Sequence, residues 1–575
     1  MATVAEVIVQ ALVEAGVKRV YGVVGDSLNS IVDAVRRTHG IEWIHVRNEE
    51  AGAFAAGAEA QLSGNLAVCA GSCGPGHLHL INGLFDCHRT RASVLAIAAH
   101  IPSAEIGTGY FQETHPDRLF QECSHYCETV LTPKQIPRVL QIAIQTAVSK
   151  GGVSVVVVPG DVGTDTVPDV APFAHSVFES RPRIRPTDAD LQRLAQLLTE
   201  HNKITLLCGR GCAGAHSEVM RLAAALNSPV VHSLAGKDII EHDNPYDVGM
   251  TGLIGIPSGA RAVEQCELLL MLGTDFPYTD WYPKKAKIAQ IDLRPEQLGR
   301  RTHVNLGLVG DIKETLEALL PLLPPDVTDG EFLKSSLEDH RKSADSLNSH
   351  AQGKAGHKPI HPEYVTAILN EVAAEDAVFT VDTGMVTVWA ARYLRMTAGR
   401  RMIGSWVHGS MANALPQAIG AQLLYPKRQV ISLSGDGGFT MLMGDFLTIL
   451  QHDLPFKTLI YNNGTLGMVK LEMEVAGLPD HGVDFKGNIN FAKVAEAVGV
   501  RGIRVEDPAD VRSGIEAWLA HDGPALLDVV TNPYELSMPP IVKLAQAVGY
   551  SLFMLKEVFG GHFAEPVELV ESNIR

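Results

Sequence analysis

Two short segments of this 575-residue chain carry residue types that can hold a metal ion and a phosphate together. In ISLSGDGGFTMLMGDFLTIL an apolar run leads into Gly435-Asp436-Gly437-Gly438, and a helical pattern starts directly after it. In FKTLIYNNGTLGM a second apolar run leads into Asn462-Asn463. Glycines permit a tight turn and let backbone N–H groups approach an anion at a helix start. Asp and Asn present hard oxygens, which suit Mg2+ bridging to phosphate oxygens. The spacing between Asp436 and Asn463 fits one strand–helix–strand unit. That sets both at neighbouring strand ends, where open α/β sheets bind ligands. Either loop alone reads as an ordinary turn; the pair carries the chemistry.

The elements that must position these residues are short β-rich runs alternating with amphipathic helices, the pattern of parallel α/β domains. Strands are predicted at RVYGVVG, IEWIHV, LAVCAG, SVLAIAA and VSVVVVPGDV in the first block. The second block has ITLLCG, PVVHS, LLLMLG and AKIAQIDL, and the third AVFTVD, QVISLSG, FKTLIYN and PALLDVVT. The chain is too long for one core, and the expected division is 1–180, 187–325, a polar linker 326–358, 359–540 and a tail 541–575. Arg181 to Pro186 reads as a Pro-rich connection.

Composition narrows the class. Hydrophobic residues at 46% and charged residues at 20% are ordinary for a globular protein. No apolar run is long enough to span a bilayer, and MATVAEVIVQALVEAG reads as an amphipathic helix rather than a signal peptide. A formal net charge of -17 argues against nucleic acid as a partner. Cys69/Cys73, Cys123/Cys127 and Cys208/Cys212 lack the C-x₂-C hooks of structural zinc sites, so free thiols are expected.

The Gly-Asp-Gly … Asn-Asn pair resembles the signature motif of thiamine-diphosphate (ThDP) enzymes. The resemblance implies that Asp436, Asn463 and the carbonyl of Thr465 hold Mg2+, with Gly437, Gly438, Gly464, Leu466, Gly467, Met468 and Val469 beside the cofactor. Arg47-Asn48-Glu49-Glu50 resembles the segment of the family's catalytic glutamate, and assigns that role to Glu49. A buried carboxylate suits sharing a proton with the pyrimidine ring, while Glu50 is expected to complement the helix dipole. In HGSMANALP, Met411 matches the position of the family's bulky apolar wedge under the cofactor, and the resemblance sets Gly409 and Ser410 beside the cofactor with it. Two departures stand out: His77 follows Gly-Pro-Gly where relatives commonly carry Asn, and Asn48 precedes Glu49 where His is usual.

The middle block points to one branch. Gly209-Arg-Gly-Cys-Ala-Gly214 follows a strand, but a lone G-x-G-x-x-G is weak. Thr251, Gly252, Leu253 and Ile254, then Thr274, Asp275, Phe276, Pro277 and Tyr278, and finally Asp292, resemble the FAD-contacting segments of the pyruvate oxidase and acetolactate synthase branch. AAGAEAQLSG, LAVCAGSCGPG, HLINGLFDCHR, GYFQETHP, NPYDVGMTGLIG and GDGGFTMLMGDF extend the likeness to the quinone-dependent pyruvate dehydrogenases of bacteria. What this implies is an α/β fold of three doubly wound parallel-sheet domains (pyrimidine-binding, FAD-binding and diphosphate-binding) plus an amphipathic tail. It also implies oxidative decarboxylation of pyruvate to acetate, with electrons passing through FAD to a membrane quinone. Phe111 would lie between the thiamine and flavin rings, and Glu113 and His115 are weaker candidates for substrate contact. Each site would be shared between subunits of a homo-oligomer, a dimer of dimers. Rival readings are a carboligase of the acetolactate synthase type, a phosphate-dependent pyruvate oxidase and an inactive regulatory homologue.

In the tail, Leu552, Leu555, Val558 and Phe559 fall at helical spacing. From Gly549 onward only Lys556 and Arg575 stand against Glu557, Glu565, Glu568 and Glu571. Docking on a lipid surface would therefore rest on apolar burial and not on charge. The implied location is the cytoplasm, peripheral on the inner face of the membrane.

Overall fold

The computed structural model describes residues 1–168, 178, 183–325, 327–352, 358–487, 489–535, 537 and 540. The expected tail, 541–575, lies outside the described residues.

Three six-stranded, all-parallel sheets form the molecule, each flanked by helices. The first runs in space Glu42–His45, Arg19–Gly22, Ala67–Gly71, Val94–His100, Val153–Pro159, Tyr126–Thr129. The third runs Arg401–Gly404, Val378–Val381, Val430–Gly435, Lys457–Asn462, Ala525–Val530, Arg501–Val505. Both follow the same sequence order, second-first-third-fourth-sixth-fifth. The middle sheet differs, running Asp247–Met250, Val230–His232, Ile204–Cys208, Leu268–Leu272, Lys287–Asp292, Leu306–Val309. Its order, third-second-first-fourth-fifth-sixth, is that of dinucleotide-binding sheets.

The expected linker is not simply a connection. Within it Glu331–Ala351 forms a helix of 21 residues. Asp339 accepts from Arg261 Nε (3.0 Å) and His340 meets Ser258 (3.3 Å), so the helix is docked on the middle domain. Its polar composition hid a half-buried surface helix.

The helix Glu49–Ser63 explains how the outer domains meet. Nearly every residue in it is buried, including both turns' worth of Ala and Gly in AGAFAAGA. It is wedged between its own sheet, the helix Pro75–Arg89 and the helix Ala414–Leu424, so only small side chains fit on most faces. A Cβ on Gly420 would collide with the carbonyl oxygen of Ala55, and one on Gly83 would lie 2.6 Å from Ala53 Cβ. The result is one apolar core that spans the first and third domains, with Tyr21, Ala55 and Ala58 packed among Leu415, Ala418, Ile419 and Phe439. All eight cysteines are free thiols, seven buried and Cys127 half-buried.

Candidate active site

The third sheet delivers its loops to one cavity of about 700 Å³. Three strands end at it, and after each the chain turns into a helix: Met385–Tyr393, Asp436–Met441 and Gly467–Val475. The lining includes Gly384, Met411, Asp436, Gly437, Gly438, Asn463, Thr465, Leu466, Gly467, Met468 and Val469. Of the residues expected beside the cofactor in this domain, Gly409, Ser410 and Gly464 do not line the cavity and the others do. The sequence reading missed the Thr383-Gly384-Met385 turn and Glu535; a strand (AVFTVD) followed by glycine and a helical pattern was the available signal for the first.

Asp436 sits at the centre, 4% exposed. Its Oδ2 accepts from Gly464 N (2.7 Å) and its Oδ1 from Gly437 N (2.8 Å). Burial pushes its carboxyl up to about 6 against these two donors, so a cation nearby would favour the charged form. Gly464 takes φ +70°, which turns the chain so that its N–H reaches the carboxylate. Asn463 Oδ1 accepts from Thr465 N at 3.2 Å. A buried carboxylate, an amide oxygen and the Thr465 carbonyl form an all-oxygen donor set, which fits Mg2+. The two asparagines do different work. Asn462 Nδ2 donates to Asp528 Oδ1 (2.9 Å) and Ile489 O (2.9 Å), holding the strand end in place. Gly438 is required because a Cβ there would strike Asp382 Oδ2. Asp382 is itself buried, and that burial raises its carboxyl to about 7.

Glu49 lies elsewhere. It starts its helix and is 6% exposed. Its Oε2 accepts from His79 Nδ1 at 2.9 Å, a partner the sequence reading did not anticipate. It lines a second cavity, with Val23, Val24, Gly25, Asn48, Ser72, Gly76, His79 and Gln112. The two cavities share no lining residue. Within one chain Glu49 and Asp436 thus line different cavities, although its first and third domains pack together.

Both departures have structural accounts. Asn48 N-caps the Glu49 helix, its side chain accepting from Glu50 N at 2.9 Å. His77 is turned inward: Nδ1 donates to Ala99 O (2.9 Å) and Nε2 accepts from Thr114 Oγ1 (2.5 Å). Burial lowers its imidazole to about 4. His77 thus pins the GYFQETHP loop to the first sheet.

On that loop Phe111 is 78% exposed and lines neither cavity. Glu113 is committed to the loop itself, accepting from the N–H groups of Gly107, Gly109 and Tyr110, which lower its pKa. His115 is exposed at the start of a short helix. Glu50 accepts from Asn82 Nδ2 at 2.7 Å, a fixed contact beyond any dipole effect.

The middle-domain segments all lie at the carboxyl ends of strands. Thr251 to Ile254 follow Asp247–Met250, Thr274 to Tyr278 follow Leu268–Leu272, and Asp292 ends its own strand. Gly209 and Thr274 face each other across the switch in strand order, where such sheets bind ligands. The apolar Leu253, Tyr278 and Leu293 are exposed along this edge at 37%, 45% and 37%. The glycines of Gly209-Arg-Gly211 have a nearer reason: a Cβ on Gly211 would sit 2.6 Å from Gly273 Cα, and Gly211 N donates to Gly273 O (2.9 Å). The edge is fastened to the third domain, for Arg392 Nε donates to Ile254 O at 3.1 Å. Arg392 belongs to the same helix whose first residue, Met385, lines the Asp436 cavity.

The sequence matches three thiamine pyrophosphate enzyme models in succession: the N-terminal TPP binding domain over 2–119, the central domain over 191–319 and the C-terminal TPP binding domain over 382–529. The chain belongs to the thiamine pyrophosphate enzyme family. A putative thiamine pyrophosphate-containing protein of Bacillus subtilis (strain 168) is 34% identical over 572 residues, 99% of this chain and 98% of that protein. A pyruvate oxidase of Lactiplantibacillus plantarum is 30% identical over 538 residues, 91% of this chain and 87% of its own. An uncharacterised 42.6 kDa protein of Pseudomonas amyloderamosa is 60% identical over 346 residues, 60% of this chain and 87% of its own. Acetolactate synthases are also among the similar chains.

Proposed function

We propose that the chain oxidises pyruvate: pyruvate and water give acetate, carbon dioxide, two protons and two electrons, and the electrons pass through FAD to reduce a membrane quinone. The observation that carries this reading is the fastening of the Thr251–Ile254 edge to the helix that opens the Asp436 cavity. It brings a flavin-suited edge next to a thiamine-suited site.

When bound, thiamine diphosphate supplies the electron sink for decarboxylation and FAD the electron acceptor. Asp436, Asn463 and the Thr465 carbonyl would hold Mg2+, and the Gly437-Gly438 turn would leave room for the phosphates. Glu49 would share a proton with the pyrimidine ring, and Met411 would contact the cofactor. Thr251 to Ile254, Thr274 to Tyr278 and Asp292 would hold the flavin nucleotide. Because Glu49 and Asp436 line separate cavities, a second copy of the chain completes each site, and exposed Phe111 is available to it. A dimer of dimers then carries paired sites. The tail seats the assembly on the inner face of the cytoplasmic membrane. No described helix is long and apolar enough to cross a membrane.

The deciding experiment is an anaerobic pyruvate titration of the purified protein, following flavin absorbance with and without lipid and a quinone analogue. Bleaching by pyruvate and recovery with quinone are expected. A flavin that stays oxidised while acetolactate accumulates would replace this reading with a carboligase. Acetyl phosphate formed only when phosphate is added would replace it with a phosphate-dependent oxidase.

A further inference from the structure

The turn that carries Met411 is conformationally expensive. Gly409 takes φ +75° and Ala412, which has a side chain, takes φ +69°. A non-glycine residue in this region persists only where its surroundings over-determine it. Ala412 packs with Ala51, Phe54 and Leu442 and its N–H is held by Asp382, while the rest of the turn is held from the first domain of the same chain, through one face of the helix Pro75–Arg89.

Asn82 is the centre of that face. Its Nδ2 donates to Ser410 Oγ (2.9 Å) and to Glu50 Oε1 (2.7 Å), and its Oδ1 accepts from His408 Nε2 (2.8 Å). The His408 ring stacks on Phe85, 5.7 Å between centroids and 11° between planes. One turn further along, Asp86 Oδ1 accepts from Ser405 Oγ at 2.7 Å, and that hydroxyl accepts from Ser410 N at 2.9 Å. Ser410 Oγ in turn donates to Met411 O at 2.9 Å. A single amide therefore reaches both the Met411 turn, which opens on one cavity, and the acid-bearing helix, which opens on the other.

We propose that Asn82 is a positioning residue for the Met411 turn, tying it to the Glu49 helix of the same chain so that the two cavities cannot relax independently. The proposal rests on reading Met411 as a cofactor contact. Asn82 itself touches neither cavity. Asp86 plays a supporting part through Ser405.

The test compares wild type, Asn82→Ala, Ser410→Ala and the double variant. In the apoprotein, amide hydrogen exchange in 405–413 should accelerate at least tenfold in Asn82→Ala, with the Val430–Gly435 strand unchanged. Calorimetric affinity for thiamine diphosphate with Mg2+ should fall several-fold. The double variant should lose less than the sum of the two single variants, because both remove the shared Asn82–Ser410 bond. Unchanged exchange in the turn, or losses that simply add, would overturn the proposal. Should Asn82→Ala fold poorly, Ser410→Ala reports the same contact from the other end. A wild-type protein that binds no thiamine diphosphate would sink the proposed function, while apoprotein exchange would still judge the tether.

Discussion

Glu49 and His77 show how burial divides the labour of titratable groups here. Glu49 is a buried acid that accepts from His79 Nδ1. Glu49→Gln keeps shape and hydrogen bonding and removes the proton. Decarboxylation is expected to fall by about 100-fold or more, the scale of lost acid–base catalysis, with cofactor affinity retained; steady-state rates and calorimetry check the two halves. His77 bears on stability instead. Its imidazole is held at about 4 in the fold, against 6.5 unperturbed. Between these values the unfolded chain takes up a proton that the folded chain refuses, so this share of stability is full above pH 6.5 and lost as pH falls toward 4. The loss approaches about 3 kcal/mol at the acid end. His77→Asn should make the drop in unfolding temperature from pH 6.5 to 4 shallower than in wild type. An acid limb of unchanged slope would contradict the assignment.

At the level of elements, the alternation of apolar runs identified the thirteen strands named from sequence, and all thirteen are present. The strands it overlooked in the three sheets are Tyr126–Thr129, Asp247–Met250, Leu306–Val309, Arg401–Gly404 and Arg501–Val505. Every one is an edge strand. Central strands of a parallel sheet are covered on both faces and read as continuous apolar runs, whereas edges carry polar residues. Helices follow the same logic in reverse. The Ala- and Gly-rich Glu49 helix has little amphipathic contrast because it is buried all round. Gly420→Ala should test how tight that packing is. Its Cβ would meet the backbone oxygen of Ala55, which cannot rotate away, so a destabilisation of about 1–3 kcal/mol is expected. Gly64→Ala is the comparison: its φ is +75° with open space around it, which isolates backbone strain of about 1 kcal/mol. Thermal unfolding of both variants should rank Gly420→Ala as the more damaging.

For the whole molecule, two sheets of identical strand order flank one of a different order. The outer pair shares a core, and the middle domain reaches both neighbours by polar contacts. Arg210 donates to Gln61 Oε1 (2.6 Å) and to the Thr90 carbonyl of the first domain, while Arg392 of the third donates to Ile254. The proposed access to quinone belongs to this scale too. Deleting the residues after Tyr550 should abolish sedimentation with liposomes yet leave pyruvate-driven flavin bleaching in solution intact. Unaltered liposome binding would separate the tail from membrane docking.

The sequence alone determined what lies within one strand–helix–strand unit: the Gly-Asp-Gly and Asn-Asn turns, the Glu49 segment and the three α/β blocks. Such features are set by local backbone geometry, and spacing along the chain records them. Tertiary structure decided what depends on contacts between distant segments. It set the Glu49 and Asp436 cavities apart in one chain, turned His77 inward, and packed Gly211 against Gly273. It also supported the Met411 turn through Asn82, 328 residues away. No local period encodes a contact of that separation; it exists because two Ala- and Gly-lined helices let the first and third domains close on each other.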